Sequence, residues 1–467
     1  MTVEFRRPEY VQNLPTWQKV DDIVFGRNLD WYLREFQAPA NAGLATIERV
    51  RKRNQEYRES AVFYAIAGYT FRGMIGAMFK KDPSLDLPAP LEYLKRNADG
   101  AGNSIYQQAQ SLAGDVVRNG RAAVFVTFPP TEGEVSRADL EQRRAFATIH
   151  AISPHQIINW RTDTIGGEDR LALVVFAFSE DEVGPDGFEV ESVTKYRHLA
   201  LEEGRYVDRV WSQADGSQWM IERESMPTDG AGNPWREIPF AFVGSENNDA
   251  SVDPSPMLDL VRVNAGHFRN SAELEDSIAI AGQAQPWASG VDDEWMRKMQ
   301  ESGFQVGSRV LLPLPEGGQF GFASADPNPI VRQAMADKVE QMIGLGARFI
   351  QPGGAVKTAT QAESENEIQH SVLSLIAANV SDAYNIALVW AARYMSAPED
   401  GRIEINRDYG AEGADPQELS AIVASWVQGA IPSSDLWAWM QSRGLIDPEK
   451  NLDEITAEVG GADEGLI

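Results

Sequence analysis

The sequence predicts an α+β protein in which amphipathic helices flank a region made mostly of β-strands. One observation is a continuous helical pattern that spans Pro254 to Pro286. The second is a series of short runs rich in valine and aromatic residues, separated by glycine-containing turns, between residues 120 and 245. The third is the length of 467 residues, which exceeds what one hydrophobic core usually holds, so about two to four structural units are expected.

The helix within Pro254 to Pro286 has one apolar side. Its apolar residues recur at intervals of three or four, which places them on a single face of an α-helix. Ser255 can cap its start, and Gly282 followed by Pro286 ends the pattern. Because the stripe is narrow, it suits a helix that packs against one or two neighbours. The residues predicted to pack along this stripe are Leu258, Val261, Ala265, Phe268 and Ala272.

The part of the chain before this helix predicts helices first and strands afterwards. A helix is expected over Ala45–Phe79, where bases between Arg49 and Arg58 alternate with glutamates and predict a solvated face with internal ion pairs. Gly120 should stop the following helix. That helix is predicted at Ile105–Arg118, and the strands at Arg121–Pro130, Ala147–Ile152, Leu171–Phe178, Glu189–Leu199, Arg205–Trp211 and Trp219–Glu224.

The part of the chain after Pro286 returns to helical periodicity. The expected elements are a short helix at Trp295–Gly303, two strands joined by a glycine-rich loop within Val306–Phe322, a helix at Pro329–Phe349, a long core helix at Asn366–Met395, and two short helices after Asp415.

Composition limits the classes of function. The chain has 69 acids against 42 bases, a net charge of −27, which opposes tight binding of nucleic acid but does not prevent DNA from passing nearby. It contains no cysteine, so disulfides and thiolate metal sites are excluded. No uninterrupted run approaches the roughly 18 apolar residues of a membrane helix, and the start MTVEFRRPEY lacks the apolar core of a signal peptide. A soluble protein without membrane contact is expected.

No catalytic motif is evident in the sequence. His150 and His155 lack the further ligands of a metal site and are interpreted as residues of loops or strand ends. Gly354 and Lys357 do not have the spacing of a phosphate-binding loop. Pairs of neighbouring carboxylates leave an acidic cytosolic hydrolase as an alternative, although their convergence cannot be read from sequence. The expectation is a non-enzyme without catalytic residues, cofactor or metal.

Six stretches, taken together, carry a resemblance to a known family: Arg6–Gly26, Ser60–Pro83, Gly120–Pro129 (GRAAVFVTFP), Ile152–Arg161 (ISPHQIINWR), Ile238–Glu275 and Gln341–Ile350 (QMIGLGARFI). They resemble the portal proteins of tailed bacteriophages, in a family formerly described only as a domain of unknown function. The resemblance extends to about residue 445, but a long C-terminal helical barrel is lacking, which implies a minimal crown.

This resemblance implies a portal fold with a wing, a helical stem, an α/β clip and a small helical crown, assembled into a ring. It also places a tunnel loop at Pro315–Pro329, with the helix Pro329–Phe349 behind it. The implied domains are residues 1–150, the N-terminal wing region; 151–250, the clip with adjoining wing strands; 251–285, the stem helix; 286–414, the wing, tunnel loop and core helices; and 415–467, the short crown and acidic tail.

The function implied by the resemblance is a channel at one capsid vertex for packaging and ejecting double-stranded DNA and for attaching the neck or tail. Portals form homo-oligomeric rings, usually of twelve subunits, and meet the terminase large subunit, the major capsid protein and a neck or tail adaptor. The expected location is the portal vertex of the virion, after assembly in the host cytoplasm. Another neck or adaptor protein of the virion is a further alternative. The candidates for lining the DNA channel are Glu273, Glu275, Asp276, Glu316 and Gln319.

Overall fold

The structure is a computed structural model that describes residues 3–129, 145–165, 167–183, 186–214, 218–282, 285–302, 314–323, 329–350, 359–407, 422, 425–426 and 430–442. The chain divides into two compact units, Met1–Arg407 and Asp408–Ile467. Helices of the first unit are α1 (Pro8–Phe25), α2 (Leu44–Ser60), α3 (Ile66–Met78), α4 (Ile105–Asn119), α5 (Leu258–Ala281), α6 (Asp293–Ser302), α7 (Pro329–Ile350) and α8 (Ala359–Met395). Its strands are β1 (Ser84–Asp86), β2 (Arg121–Thr127), β3 (Thr148–Ile152), β4 (Ile157–Ile165), β5 (Glu168–Val183), β6 (Val190–Glu202), β7 (Arg205–Ala214), β8 (Gln218–Ser225), β9 (Phe240–Gly244), β10 (Gln285–Ser289), β11 (Gln319–Ala323) and β12 (Arg402–Glu404).

The core of the first unit surrounds helix α8. Its buried face, which includes Ile376, Val380 and Tyr384, packs on strands β2 and β9 and on helix α4. Strand β2 is the centre of an antiparallel sheet of order β3-β2-β9. Because β2 is covered on both faces, its sequence is an almost continuous apolar run rather than an alternating one. The strand predicted within Arg121–Pro130 and the predicted α+β class are confirmed.

Helix α8 begins earlier and is more apolar than the sequence suggested. It starts at Ala359 rather than Asn366, in a segment rich in the good helix formers alanine, glutamine and glutamate. Its part Val372–Met395 has a mean hydropathy of 1.5 and passes, by length and composition alone, as a membrane span. Of the apolar window in that part, 56% is buried within the protein, as in the core helix of a globular unit.

A five-stranded antiparallel sheet, β4 to β8 in sequence order, forms the second layer. The strands predicted between Leu171 and Glu224 are confirmed, whereas β4 and β9 were not predicted. Strand β4 pairs with β5 only as far as Phe176, and β7 pairs with β6 only as far as Tyr196. Beyond these points β5 and β6 form a two-stranded ribbon, and Phe188 between the two strands is 89% exposed.

The single helix predicted over Ala45–Phe79 is wrong, because the chain is extended between α2 and α3. Helix α5 supplies the physical reason. The Asn264 side chain accepts a hydrogen bond from the Ala67 amide at 2.9 Å and donates one to the Tyr64 carbonyl at 2.8 Å. The Ser271 hydroxyl accepts from the Val62 amide and donates to the Val62 carbonyl. These bonds satisfy backbone groups that a continuous helix would have satisfied internally.

Helices α5 and α7 pack against each other and run antiparallel. A Cβ atom added to Gly266 of α5 would lie 3.1 Å from Cε of Lys338 in α7. Strand β10 follows the end of α5, strand β11 precedes the start of α7, and Gln285 of β10 pairs with Ala323 of β11. The end of α5 and the start of α7 are therefore close together. With 24 and 22 residues, the two helices are about 36 and 33 Å long. The two helices therefore form a long hairpin that continues into the two-stranded sheet of β10 and β11. Helix α6 lies between these two strands in the sequence.

The pentapeptide DGAGN occurs twice, and in both copies the aspartate side chain closes a turn, although only the first has a positive φ at its first glycine, Gly100. In the first, Asp99 accepts hydrogen bonds from the Ala101 and Asn103 amides. In the second, at residues 229–233, Asp229 makes the equivalent bonds. Only the second is docked on α8: the Gly230 amide donates to the Arg393 carbonyl at 2.8 Å.

In the second unit the structure describes helix α9 (Ser433–Ser442), which confirms the latter of the two short helices predicted after Asp415. Most of the former lies outside the described residues.

Candidate assembly surface on helices α5 and α7

The residues predicted to pack along the central helix are mostly buried inside the single chain. Val261, Ala265 and Ala272 have no exposed surface, and Phe268 is 3% exposed, whereas Leu258 is only half-buried. The Phe268 ring contacts Phe63, from the segment between α2 and α3, edge to face at 5.3 Å. The apolar stripe of α5 therefore belongs to the core of this chain itself.

Two of the acids proposed to line a channel are bound to arginines. A carboxylate oxygen of Glu273 lies 3.4 Å from the Arg34 guanidinium, and the Tyr57 hydroxyl donates to the same carboxylate. Burial, followed by the Glu273 charge, raises the pKa of Tyr57 to about 12. Asp276 lies 3.4 Å from Arg53 of α2. This side of α5 therefore faces α2 and presents ion pairs rather than uncompensated negative charge.

The remaining proposed channel residues differ in position. Glu275 is half-buried on α5. Glu316 is exposed at the turn that precedes β11, and Gln319, also exposed, is the first residue of β11 and pairs with Ser289 of β10. The segment predicted as a tunnel loop, Pro315–Pro329, is therefore not a loop throughout, because Gln319–Ala323 is a strand. Residues 324–328 lie outside the described part.

The β10–β11 sheet exposes aromatic side chains on both faces. Trp287 of β10 is 43% exposed and covers Gly321, its cross-strand partner, whose missing side chain leaves room for the indole. On the opposite face Phe322 is 56% exposed and packs edge to face on Phe320. Both strands have one open edge within the described residues. Because a two-stranded sheet is marginal alone in water, this end of the hairpin is suited to contact another chain.

Sequence reasoning missed the cations of α5. Arg262 and Arg269 are seven residues apart and exposed, and Lys19 of α1 and Lys338 of α7 lie beside them. Their regular spacing on one helix was a readable signal. Their convergence with two lysines from other helices was not, because it depends on tertiary packing.

Two carboxylates that meet at one arginine do not have the arrangement of a catalytic pair. Asp21 of α1 and Asp115 of α4 lie on either side of Arg118, at 2.8 and 2.5 Å, and Nε2 of His155 donates to the Asp21 carboxylate at 2.8 Å. Burial raises the pKa of Asp115 to about 6. Burial also opposes ionisation of Asp21, but hydrogen bonds and charge from His155 and Arg118 outweigh it and lower its pKa. The guanidinium occupies the space that a substrate would need between two catalytic acids.

A groove between α4 and β3, with a volume of about 250 Å³, contains a single carboxylate, Asp99, and it is already bonded within its turn. His150 borders this groove, and burial together with the Arg197 charge lowers its pKa to about 4. Among the described residues no group of three histidines or carboxylates could hold a metal ion. Gly354 and Lys357 fall outside the described part.

Comparison with known proteins gives one family match and distant structural similarity. The family described as Domain of unknown function (DUF4055) matches residues 256–395, which include α5 to α8. A chain from the neck of a native GTA particle, computed with C12 symmetry, is 15% identical, with 83% of this chain and 88% of that chain covered and a TM-score of 0.39. A chain from the neck of an empty GTA particle, computed with C6 symmetry, is 16% identical, with 84% and 89% covered and a TM-score of 0.38. No curated protein matches the sequence.

Proposed function

We propose that this chain is a portal protein of a tailed bacteriophage, which closes into a ring, usually of twelve subunits, at one vertex of the capsid. Double-stranded DNA would pass through the ring during packaging and ejection. The observation that carries the proposal is the helical hairpin of α5 and α7, which ends in a two-stranded sheet with exposed Trp287 and Phe322. It fits the stem of helices and the contact module that the sequence resemblance implies.

The arrangement favours a different position for the clip than the sequence suggested. Residues 151–250 were expected to contain it, but they form the five-stranded sheet β4 to β8 and strand β9, which pairs with β2 and contacts α8. We assign the clip to residues 285–323, at the far end of the helical hairpin, and residues 151–250 to the wing. Residues 415–467 remain the proposed crown.

The partners proposed for the ring follow from these assignments. The clip would meet the terminase large subunit during packaging and a neck or tail adaptor afterwards, and the wing would meet the major capsid protein. The channel wall would take its negative charge from Glu275 and Glu316, beside Gln319, since Glu273 and Asp276 are neutralised by arginines. Asp21 and Asp115 do not favour an acidic hydrolase, because Arg118 bridges these two carboxylates.

Two variants with exposed aromatic residues test the function and the clip assignment together. Purified chain should form rings with a central opening by electron microscopy, and these rings should capture the terminase large subunit of the same phage. Phe322→Ser should abolish capture, while Phe188→Ser, a matched change in the β5–β6 ribbon, should leave it intact. Loss of capture in Phe188→Ser alone would return the clip to residues 151–250. A chain that stays monomeric with all partners would refute the portal function.

A further inference from the structure

The outer side of α5 carries a group of cations contributed by three helices, here called the cationic cluster: Lys19, Arg262, Arg269 and Lys338. Arg262 and Arg269 are exposed, while Lys19 and Lys338 are half-buried. Gly266 lies between them, and a Cβ atom there would be 3.1 Å from Cε of Lys338 and 3.8 Å from Nη2 of Arg269. The glycine thus allows the lysine stem to lie directly on the α5 backbone.

The charges of the cationic cluster are poorly compensated within the chain. Burial first, then the charges of Arg269 and Arg262, lower the pKa of Lys19, and no carboxylate acts on it in the opposite direction. In the described residues the one ion pair of the cluster joins Arg262 to Asp259 at 3.3 Å, with both side chains largely exposed. Burial and the charge of Lys338 also lower the pKa of His267. Like charges brought together on one surface cost stability unless an anion covers them.

The excess of acids elsewhere indicates what covers this surface. The chain carries 69 acids against 42 bases, so the anion most readily available in an assembly of identical subunits is a carboxylate of the next one. A ring closes through heterologous contacts, in which two different patches of each subunit meet. A cationic patch on a strongly acidic chain is suited to one side of such a contact. Four cations per subunit facing the DNA would instead bind phosphates and slow its passage.

We propose that the cationic cluster is a docking surface for carboxylates of a second copy of this chain, a contact between neighbouring subunits. This inference rests on the proposed ring and specifies which side of the stem helix meets the neighbour. Because the contact is electrostatic and partly exposed, assembly should weaken as salt shortens the screening length below roughly 8 Å.

Charge reversal tests the contribution of the cluster to assembly. Arg269→Glu should lower the fraction of chain in rings at least tenfold at low salt, as measured by native mass spectrometry, while the circular dichroism of the subunit stays unchanged. Lys52→Glu on α2 is the matched control, because it makes the same change of charge at an exposed ion pair away from the cluster, and it should assemble like wild type. Equal ring yields for Arg269→Glu and wild type would overturn the proposal while leaving the ring itself intact.

Carbodiimide cross-linking tests whether the contact joins two copies. In rings mixed from ¹⁴N and ¹⁵N chains, Lys19 or Lys338 should form amide links to carboxylates of the other isotope. Lys19→Arg and Lys338→Arg keep the charge but remove the amine, so rings should persist without these links.

Links within one chain alone would overturn the proposal. So would unchanged ring formation by Arg269→Glu with weaker retention of duplex DNA, which would identify a nucleic-acid site. Absence of rings in wild type would refute the proposed function as well.

Discussion

Replacing Asn264 with alanine should destabilise the subunit by about 3 kcal/mol, because this buried side chain holds the extended segment between α2 and α3. The substitution removes both hydrogen bonds that the side chain makes, one with the Ala67 amide and one with the Tyr64 carbonyl. Asn264 itself has no exposed surface, so water cannot easily replace it. Each backbone group left without a partner in the interior costs about 1 to 3 kcal/mol, so the two groups together cost about 2 to 6 kcal/mol. Partial relaxation around the missing side chain should keep the loss of stability in the lower half of this range.

Two measurements separate this effect from a general loss of packing. Urea unfolding should report the change in the free energy of unfolding, equivalent to roughly a hundredfold change in the unfolding equilibrium. Hydrogen exchange should show faster exchange at the Ala67 amide than at amides in the centre of α4. Asn270→Ala is the matched control, since Asn270 lies on the same helix but is partly exposed. If both variants lose the same stability and Ala67 stays protected, the hydrogen bonds do not hold the segment.

Three further predictions follow from particular positions. In thermal unfolding, Gly120→Ala should cost several kcal/mol more stability than Gly102→Ala. Both glycines have positive φ, but only at Gly120 would the added Cβ meet backbone oxygens, at 2.5 and 2.6 Å. Equal losses of stability in the two variants would contradict this reasoning. Asp115, whose pKa burial raises to about 6, binds a proton more readily when folded, so wild type should gain stability over Asp115→Asn between about pH 6 and 4. Urea midpoints at about pH 7 and pH 5 check this, and a constant difference would refute it. Phe268→Asp should unfold the chain rather than merely prevent assembly of the portal ring, because the phenyl group of Phe268 is buried against Phe63 inside one chain. A variant that is monomeric but still folded by circular dichroism would contradict this prediction.

Local patterns were sufficient to predict the elements whose structure depends on their own sequence. The three- and four-residue spacing on α5 gave the helix and its buried side, and Gly120, at φ 72°, ended α4 as expected. The uninterrupted apolar run of β2 marked a strand covered on both faces. In each case the periodicity of burial is recorded in the residues of the element itself.

Features fixed by distant residues could not be predicted in this way. The break between α2 and α3 depends on Asn264 and Ser271, about 200 positions further along the chain, and the local sequence is compatible with a continuous helix. The neutralisation of Glu273 by Arg34 likewise depends on how α2 and the segment before it pack on α5. Strand β11 was predicted, but its partner β10 was not, because the pairing joins segments that are far apart in the chain. Each of these depends on tertiary contacts between elements whose order in space is not encoded locally.

The two DGAGN turns show how one short sequence can be constrained in two different ways. Both turns close through hydrogen bonds to their own aspartate. At the first, a methyl group on Gly100 would meet only a threonine methyl at 3.7 Å, but the φ of this residue is 86°, which residues with a side chain rarely adopt. At the second, φ of Gly230 is not positive, and a methyl group would instead meet Oγ of Ser396 and lie 2.8 Å from the Tyr394 carbonyl. The second copy therefore fixes the last turn of α8, and an insertion there would displace the end of the core helix, whereas the first copy is restricted by its own backbone conformation.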